Sequence, residues 1–119
     1  MESNDITRVR GSYAGRNRSS AYKDLVFTVA TDEKLNATIE EQTRAALEKI
    51  ESNLNELGSN KHKILSAQIY MANILEKPIM DKLWCEWLGE NPDSWPQRAC
   101  LGVALEGRVL IEVTVVAVR

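Results

Sequence analysis

Two charged side chains interrupt an otherwise apolar C-terminal stretch, and they are the residues whose types could do chemistry. Arg98 stands at the start of the stretch, Cys100 follows closely, and Glu112 lies among aliphatic residues. An uncompensated carboxylate is costly in apolar surroundings, so Glu112 requires a partner. Arginine binds a carboxylate through two parallel hydrogen bonds, and glutamate can transfer a proton or hold a water molecule. Together they suit hydrolysis of a small carboxylate-bearing molecule without a metal ion.

The same residues permit a structural interpretation, in which Arg98 and Glu112 form a salt bridge at a subunit interface. Residue types alone favour neither hypothesis. The sequence has no glycine-rich phosphate loop, no HExxH or CxxC spacing and no G-x-S-x-G elbow. With Cys85 and Cys100 as the only cysteines and His62 as the only histidine, we expect no metal site.

The C-terminal stretch predicts a β-hairpin, because β-branched residues dominate it and Glu106-Gly107-Arg108 supplies turn chemistry. A two-residue turn would place Arg98 and Glu112 on opposite faces. A three-residue loop instead collects the apolar side chains on one face, and a one-residue slip would exchange the faces. The pattern therefore selects the three-residue loop. In that register Arg98 and Glu112 share a face, and Gly102 lies opposite Glu112 beneath a small polar pocket.

Length and composition indicate one domain over residues 1–119, with a loose N-terminal end over about residues 1–7. The 44% hydrophobic and 27% charged residues are typical of a globular protein. A net charge of −2 gives no argument for nucleic-acid binding. No apolar run approaches the ~20 residues that span a bilayer, and no signal peptide is recognisable. We therefore expect a cytoplasmic protein without a membrane partner.

The elements that must position the charged residues follow from periodicity. Thr38 to Leu57 is the clearest helix, with a capping box between Thr38 and Glu41 and a stop at Gly58. Pro78 opens a second helix, whose tryptophans we expect in the core. Strands are predicted at Ser20–Tyr22, Leu25–Ala30 and Ile64–Met71. The order of elements predicts an α+β domain with two helices packed on one sheet.

Several short motifs recur together between about Arg18 and Val118. They are Arg18-x-Ser20-Ala21, Gln42-Thr43-x-x-Ala46-Leu47-x-x-Ile50, Leu54-x-x-x-Gly58-Ser59-x-Lys61, Ile64-Leu65-Ser66-Ala67-x-Ile69-Tyr70-Met71-Ala72, and Pro96-x-Arg98-Ala99-Cys100 followed by Val109-Leu110-Ile111-Glu112-Val113. Each motif is weak alone. In combination they closely resemble the RidA (YjgF/YER-type) reactive intermediate deaminases.

The resemblance implies a chorismate-mutase-like fold, a mixed sheet packed by two helices, and a homotrimer with sites in the clefts between subunits. It also implies cofactor-independent hydrolysis of enamines and imines, such as 2-aminoacrylate, to 2-keto acids and ammonia. By resemblance, Arg98 would hold the substrate carboxylate and Glu112 would position the attacking water. The substrate-binding residues would be Arg98, Cys100, Gly102, Ala30 and Thr31.

The chain departs from the family pattern at three places. Ala30-Thr31-Asp32 replaces Ser-Gly-Gln or Ala-Gly-Gln, and Asp81 replaces an asparagine, so we expect an acidic pocket. The N-terminal aromatic residue has no clear counterpart: Asn17 falls near its position, and Tyr13 or Tyr22 could substitute. The alternative to an enzyme is a non-catalytic trimer on the same scaffold that binds a small ligand or acts as a chaperone. RNA cleavage is disfavoured by the acidic net charge and the lack of stacking aromatic residues near the basic N-terminal stretch.

Overall fold

The C-terminal strand lies inside the sheet of the computed structural model, which describes residues 5–119. The sheet is six-stranded and mixed, in the order β1-β2-β3-β6-β4-β5. Only β4 and β5 pair in parallel, and the other neighbours are antiparallel. The strands are β1 (Ile6–Arg10), β2 (Asn17–Tyr22), β3 (Leu25–Ala30), β4 (Ile64–Met71), β5 (Gln97–Gly102) and β6 (Ile111–Val118).

Two helices, α1 (Ile39–Glu56) and α2 (Lys77–Leu88), cover one face of this sheet. The predicted capping box is confirmed: Glu41 N donates to Thr38 Oγ1 at 3.1 Å, and Thr38 N donates to Glu41 Oε1 at 3.2 Å. Gly58 follows the helix with φ of 82°, which suits a residue without a side chain. The α+β fold with a mixed sheet and two helices is therefore as predicted.

The core forms where α1 and α2 meet alternating residues of the strands. In β6 the odd-numbered residues are buried and the even-numbered ones are half-buried, as period-two alternation requires. Trp84 of α2 is buried and Trp87 is half-buried against the core, which confirms their packing role.

The predicted C-terminal hairpin is wrong. β4 lies between β5 and β6 and pairs with both, so β5 and β6 never meet. The parallel pairing of β4 and β5 needs a crossover, which α2 supplies. The turn at Glu106 does form, with a bond from Val109 N to Glu106 O of 3.1 Å. It belongs to a longer connection that passes over the end of β4, where Val103 N donates to Met71 O and Ala72 N donates to Leu110 O.

The N-terminal end is more ordered than we predicted. Ile6 and Thr7, which we assigned to a loose end, pair in β1 with Tyr22 and Ala21. Residues 1–4, which belong to the same prediction, lie outside the described residues. Across residues 5–119, no helix combines the length and apolar character needed to cross a membrane.

Candidate functional site

Arg98 and Glu112 lie on opposite faces of the sheet. Ala67 of β4 pairs with Arg98, whereas Tyr70 pairs with Glu112. Paired residues share a face and successive residues alternate, so positions 67 and 70 point to opposite sides. The strand spacing and rise put the two Cα atoms roughly 14 Å apart. Neither the shared pocket nor the Arg98–Glu112 salt bridge can therefore form within one chain.

Arg98 sits on the helix face, where α2 holds its guanidinium. Its Nη2 donates to Asp81 Oδ1 at 2.8 Å, and its Nη1 lies 3.8 Å from Met80 Sδ. The guanidinium carbon lies 5.4 Å from the ring centroid of Trp84, within cation–π range. The Arg98 side chain is 20% exposed. One edge of its hydrogen-bonding fork is thus already engaged by a carboxylate of the same chain.

Asp81 joins Arg98 to a second cation. Lys77 Nζ donates to Asp81 Oδ2 at 2.7 Å, one helical turn earlier in α2. Partial burial opposes ionisation of Asp81, but hydrogen bonds and positive charge from Lys77 and Arg98 outweigh it and lower the pKa of its carboxyl. Asp81 is consequently ionised at neutral pH. The expectation that Asp81 makes this pocket acidic is wrong, because the positive charges of Lys77 and Arg98 outnumber its single negative charge.

Cys100 and Gly102 follow Arg98 on the same face of β5. Burial, partly offset by the nearby positive charges of Arg98 and Lys77, raises the pKa of the Cys100 thiol. Gly102 pairs with Met71, which in turn pairs with Ile111, so the predicted position opposite Glu112 is wrong. A Cβ at Gly102 would lie 3.0 Å from Cβ of Ile74. Close packing against Ile74 therefore explains the glycine.

Glu112 lines a separate cavity of about 360 Å³. The predicted site residues Ala30 and Thr31 line the same cavity, beneath the loop that joins β1 and β2. The structure therefore divides the predicted site residues into two sets. Glu112, Ala30 and Thr31 form one set, and the residues of β5 form the other: Arg98, Cys100 and Gly102.

The loop between β1 and β2 contributes aromatic and basic residues to the lining of the Glu112 cavity. Tyr13 and Asn17 both line it, and the guanidinium carbon of Arg16 lies 4.6 Å from the Tyr13 ring centroid. Of the two proposed aromatic substitutes, Tyr13 is therefore the one that lines the same cavity as Glu112. Tyr22 lies at the far end of β2, where it pairs with Ile6.

Asp32, which we expected to acidify the pocket, has a structural role instead. It is 3% exposed, and its carboxylate accepts hydrogen bonds from Lys34 N, Asn36 N and Asn36 Nδ2 at 2.8–3.0 Å. These bonds shape the loop between β3 and α1. Because its oxygens are occupied by this loop, the prediction of a cavity acidified by Asp32 is wrong.

Gln42 of α1 is a positioning residue that sequence reasoning missed. Its Nε2 donates to Asn36 O at 2.7 Å and to Arg108 O at 3.0 Å, and its Oε1 accepts from Leu110 N at 2.8 Å. The side chain is 1% exposed. It therefore fixes the connection that delivers Glu112 into β6. A polar residue on the apolar stripe of a helix was the signal available in the sequence.

The sheet face opposite the helices is rich in apolar side chains. No element within residues 5–119 covers it, and several large residues there are 37–47% exposed: Tyr22, Leu25, Phe27 and Leu101. An exposed apolar surface of this kind is typical of an interaction surface. Across the same described range, no group of three or more His, Cys, Asp or Glu side chains could hold a metal ion.

Comparison with known proteins identifies the family. The family described as endoribonuclease L-PSP matches residues 24–119. The chain belongs to this family. A RutC family protein of Haemophilus ducreyi is 34% identical over 77 residues, which cover 65% of this chain and 62% of that protein. The mitochondrial protein mmf1 of Schizosaccharomyces pombe is 32% identical over 75 residues, covering 63% of this chain and 44% of that protein.

The matched stretch thus spans well under the full length of these curated relatives. Among solved structures, a YjgF family member from Neisseria meningitidis gives a TM-score of 0.87 at 27% identity, covering 97% of this chain and 95% of that one. The resemblance to the RidA (YjgF) family drawn from the motifs is confirmed, and so is the family fold.

Proposed function

We propose that this chain hydrolyses reactive enamines and imines, such as 2-aminoacrylate, to 2-keto acids and ammonia. The proposal takes the active protein to be a homotrimer with sites between subunits. The observation that carries it is the placement of Arg98 and Glu112 on opposite faces of one chain. A site that uses both side chains must take them from two chains, which is what a cleft between subunits provides.

Arg98 of one subunit binds the substrate carboxylate in this mechanism, through the planar fork of its guanidinium. Glu112 of the neighbouring subunit accepts a hydrogen bond from a water molecule and directs it at the imine carbon. An enamine such as 2-aminoacrylate reacts as its imine tautomer, which forms when C3 gains a proton and the nitrogen loses one. The water oxygen bonds to the imine carbon, and one proton of that water passes to the nitrogen. Collapse of the resulting carbinolamine breaks the C–N bond, which releases ammonia and leaves the 2-keto acid. Cys100 lines the cleft beside Arg98 without forming a covalent bond.

The uncovered sheet face supports association of copies of this chain. Leu25, Phe27 and Leu101 present apolar surface there that a second subunit would remove from water. Burial of such surface contributes about 25 cal/mol per Å². Since Glu112 pairs with Tyr70 on the same face, contact across it would bring a neighbouring chain to the Glu112 cavity.

Mixed trimers test this proposal. We expect Arg98→Ala and Glu112→Gln each to be inactive alone. Activity is measured in two ways: by the release of keto acid, and by how far the protein reduces the trapping of freshly formed 2-aminoacrylate. Co-expressed at equal amounts, they would regain about a quarter of wild-type activity, because random mixing in a three-membered ring leaves that fraction of clefts with both side chains.

Each outcome has a definite meaning in this experiment. A double variant carrying both substitutions serves as control and would complement neither single variant. Active single variants, or inactive mixtures whose mixed assembly is verified by native mass spectrometry, would refute the shared site. Wild-type protein that adds nothing to the free hydrolysis of several imines would refute the deaminase activity itself.

A non-catalytic trimer that binds a small ligand, or acts as a chaperone, is the second candidate function. The hydrogen bond between Arg98 and Asp81 supports the ligand-binding form, because one carboxylate, that of Asp81, already pairs with this guanidinium. A ligand that binds only the folded state raises the melting temperature. Stabilisation by pyruvate without turnover of any imine would establish this candidate, whereas turnover would exclude it.

We infer that RNA is not the substrate, although the family description names an endoribonuclease. The net charge is −2, and the single histidine, His62, is exposed in a 3₁₀ turn far along the chain from the candidate site residues. Incubation with a labelled single-stranded RNA checks this inference, and cleavage that Arg98→Ala abolishes would contradict it.

We further propose the cytoplasm as the compartment of this protein. Fractionation of cells that express the tagged chain tests this proposal, and recovery of the chain in mitochondria would refute it.

A further inference from the structure

We propose that Asp81 makes the Arg98 site selective for zwitterionic ligands over simple monocarboxylates. The favoured class carries a carboxylate next to a protonated nitrogen, as an iminium acid does. The disfavoured class is a bare anion such as a 2-keto acid. The proposal rests on the proposed function only in taking Arg98 as the residue that receives the ligand carboxylate.

The geometry makes Asp81 a competitor for Arg98. Its Oδ1 accepts from Arg98 Nη2 at 2.8 Å, a distance typical of a charge-assisted bond. A ligand carboxylate on the same guanidinium would be separated from Asp81 only by the width of that group, close enough for like-charge repulsion in a partly desolvated site. Binding of a bare anion is therefore weakened by a group already present in the chain.

Charge counting around the guanidinium gives the direction of selectivity. Arg98 and Lys77 contribute two positive charges and Asp81 one negative charge, within a single hydrogen-bonded cluster. A protonated nitrogen beside the ligand carboxylate would be attracted by Asp81 and offset the repulsion. The anionic keto acid gains no such attraction. Asp81 thus favours retention of an iminium substrate and release of its keto-acid product.

A purely structural role for Asp81 makes the opposite prediction. If its hydrogen bond served only to orient Arg98, replacement of the charged acceptor by the weaker amide oxygen would loosen the guanidinium and weaken every carboxylate ligand. Both accounts expect a stable protein, because asparagine has nearly the same shape as aspartate and keeps an oxygen that can accept from Arg98. The direction of the change in affinity separates them.

The experiment compares wild type with Asp81→Asn by isothermal titration of two unreactive probes, pyruvate and L-alanine. We expect Asp81→Asn to bind pyruvate at least about tenfold tighter, or about 1.4 kcal/mol, with L-alanine changed by much less. Asp24→Asn is the matched control, since it removes the same charge from the exposed turn between β2 and β3. It should leave both affinities unchanged.

Three results would overturn the proposal: unchanged or weaker pyruvate binding by Asp81→Asn, equal tightening of both probes, or no binding of either probe to either protein. The measurement involves no turnover, so its outcome is separate from that of the deaminase assay. Selective tightening without imine hydrolysis would keep this inference and lose the proposed activity. Imine hydrolysis without selective tightening would do the reverse.

Discussion

Replacement of Gln42 tests whether its hydrogen bonds to the connection before β6 hold Glu112 in position at its cavity. The Gln42 side chain makes three hydrogen bonds to backbone groups, two to the connection between β5 and β6 and one to the loop before α1. Gln42→Ala removes all three and leaves two carbonyls and the Leu110 amide without that partner. We expect the loss of these bonds to lower both stability and order around Glu112.

The magnitude follows from the number and exposure of these groups. A net loss of about 1 kcal/mol for each hydrogen bond gives roughly 3 kcal/mol. Arg108 is exposed, so water can replace part of the bond to its carbonyl. Deletion of the buried Cγ methylene adds a packing loss of about 1 kcal/mol. We therefore expect unfolding to be easier by about 2–4 kcal/mol.

Urea denaturation at a fixed protein concentration measures this change, and hydrogen exchange of the Leu110 amide reports on the connection itself. Glu48→Ala, on the exposed side of the same helix, is the control and should change stability by less than about 0.5 kcal/mol. Gln42→Leu retains side-chain volume but not the hydrogen bonds. Recovery of near-wild-type stability by Gln42→Leu, or protection of Leu110 in Gln42→Ala, would refute the reasoning.

Two further predictions concern the capping box of α1 and the ion pairs of Asp81 in α2. Thr38→Ala removes the capping box of α1 and should cost about 1 kcal/mol, while Thr38→Ser should restore most of it; equal urea midpoints for the two variants would contradict this. Asp81 has a lowered pKa, so its contribution to stability is full above the unfolded-chain pKa of about 3.9 and is lost as the pH falls through the folded value. At pH 6 the wild type should be more stable than Asp81→Asn by less than about 1 kcal/mol, because the ion pair is partly exposed. The difference should vanish once the pH lies below the folded pKa of Asp81, and a gap that widens in acid would oppose the assignment.

Local elements were predictable because their signals lie within a few residues. The capping box at Thr38 and the glycine at position 58 define α1, and the alternation over Ile64–Met71 defines β4. These patterns depend on backbone geometry and burial alone. They hold wherever the element lies in the fold.

The pairing of β5 with β6 was mispredicted for a physical reason. Two apolar strands with turn residues between them have the same pattern whether they pair directly or flank a third strand. The turn at Glu106 forms in either case, so it does not report the register. The deciding information was non-local: α2 is long enough to return the chain to a strand parallel to β4.

That error explains what could not be foreseen about the candidate site. Arg98 and Glu112 were recognised from their chemistry, but their placement on separate faces depends on β4. The same crossover puts α2 over β5 and brings Asp81 to Arg98. The sequence indicated that Asp81 was unusual, and only the fold shows which side chain it contacts.

The position of β6 also governs the order in which this protein can fold during synthesis. β6 follows the other five strands in the chain, yet it lies between β3 and β4. Until it leaves the ribosome, the β1–β3 and β4–β5 parts have no shared ladder and expose the unpaired edges of β3 and β4. Such edges can template aggregation. We expect that the sheet closes only after translation of β6.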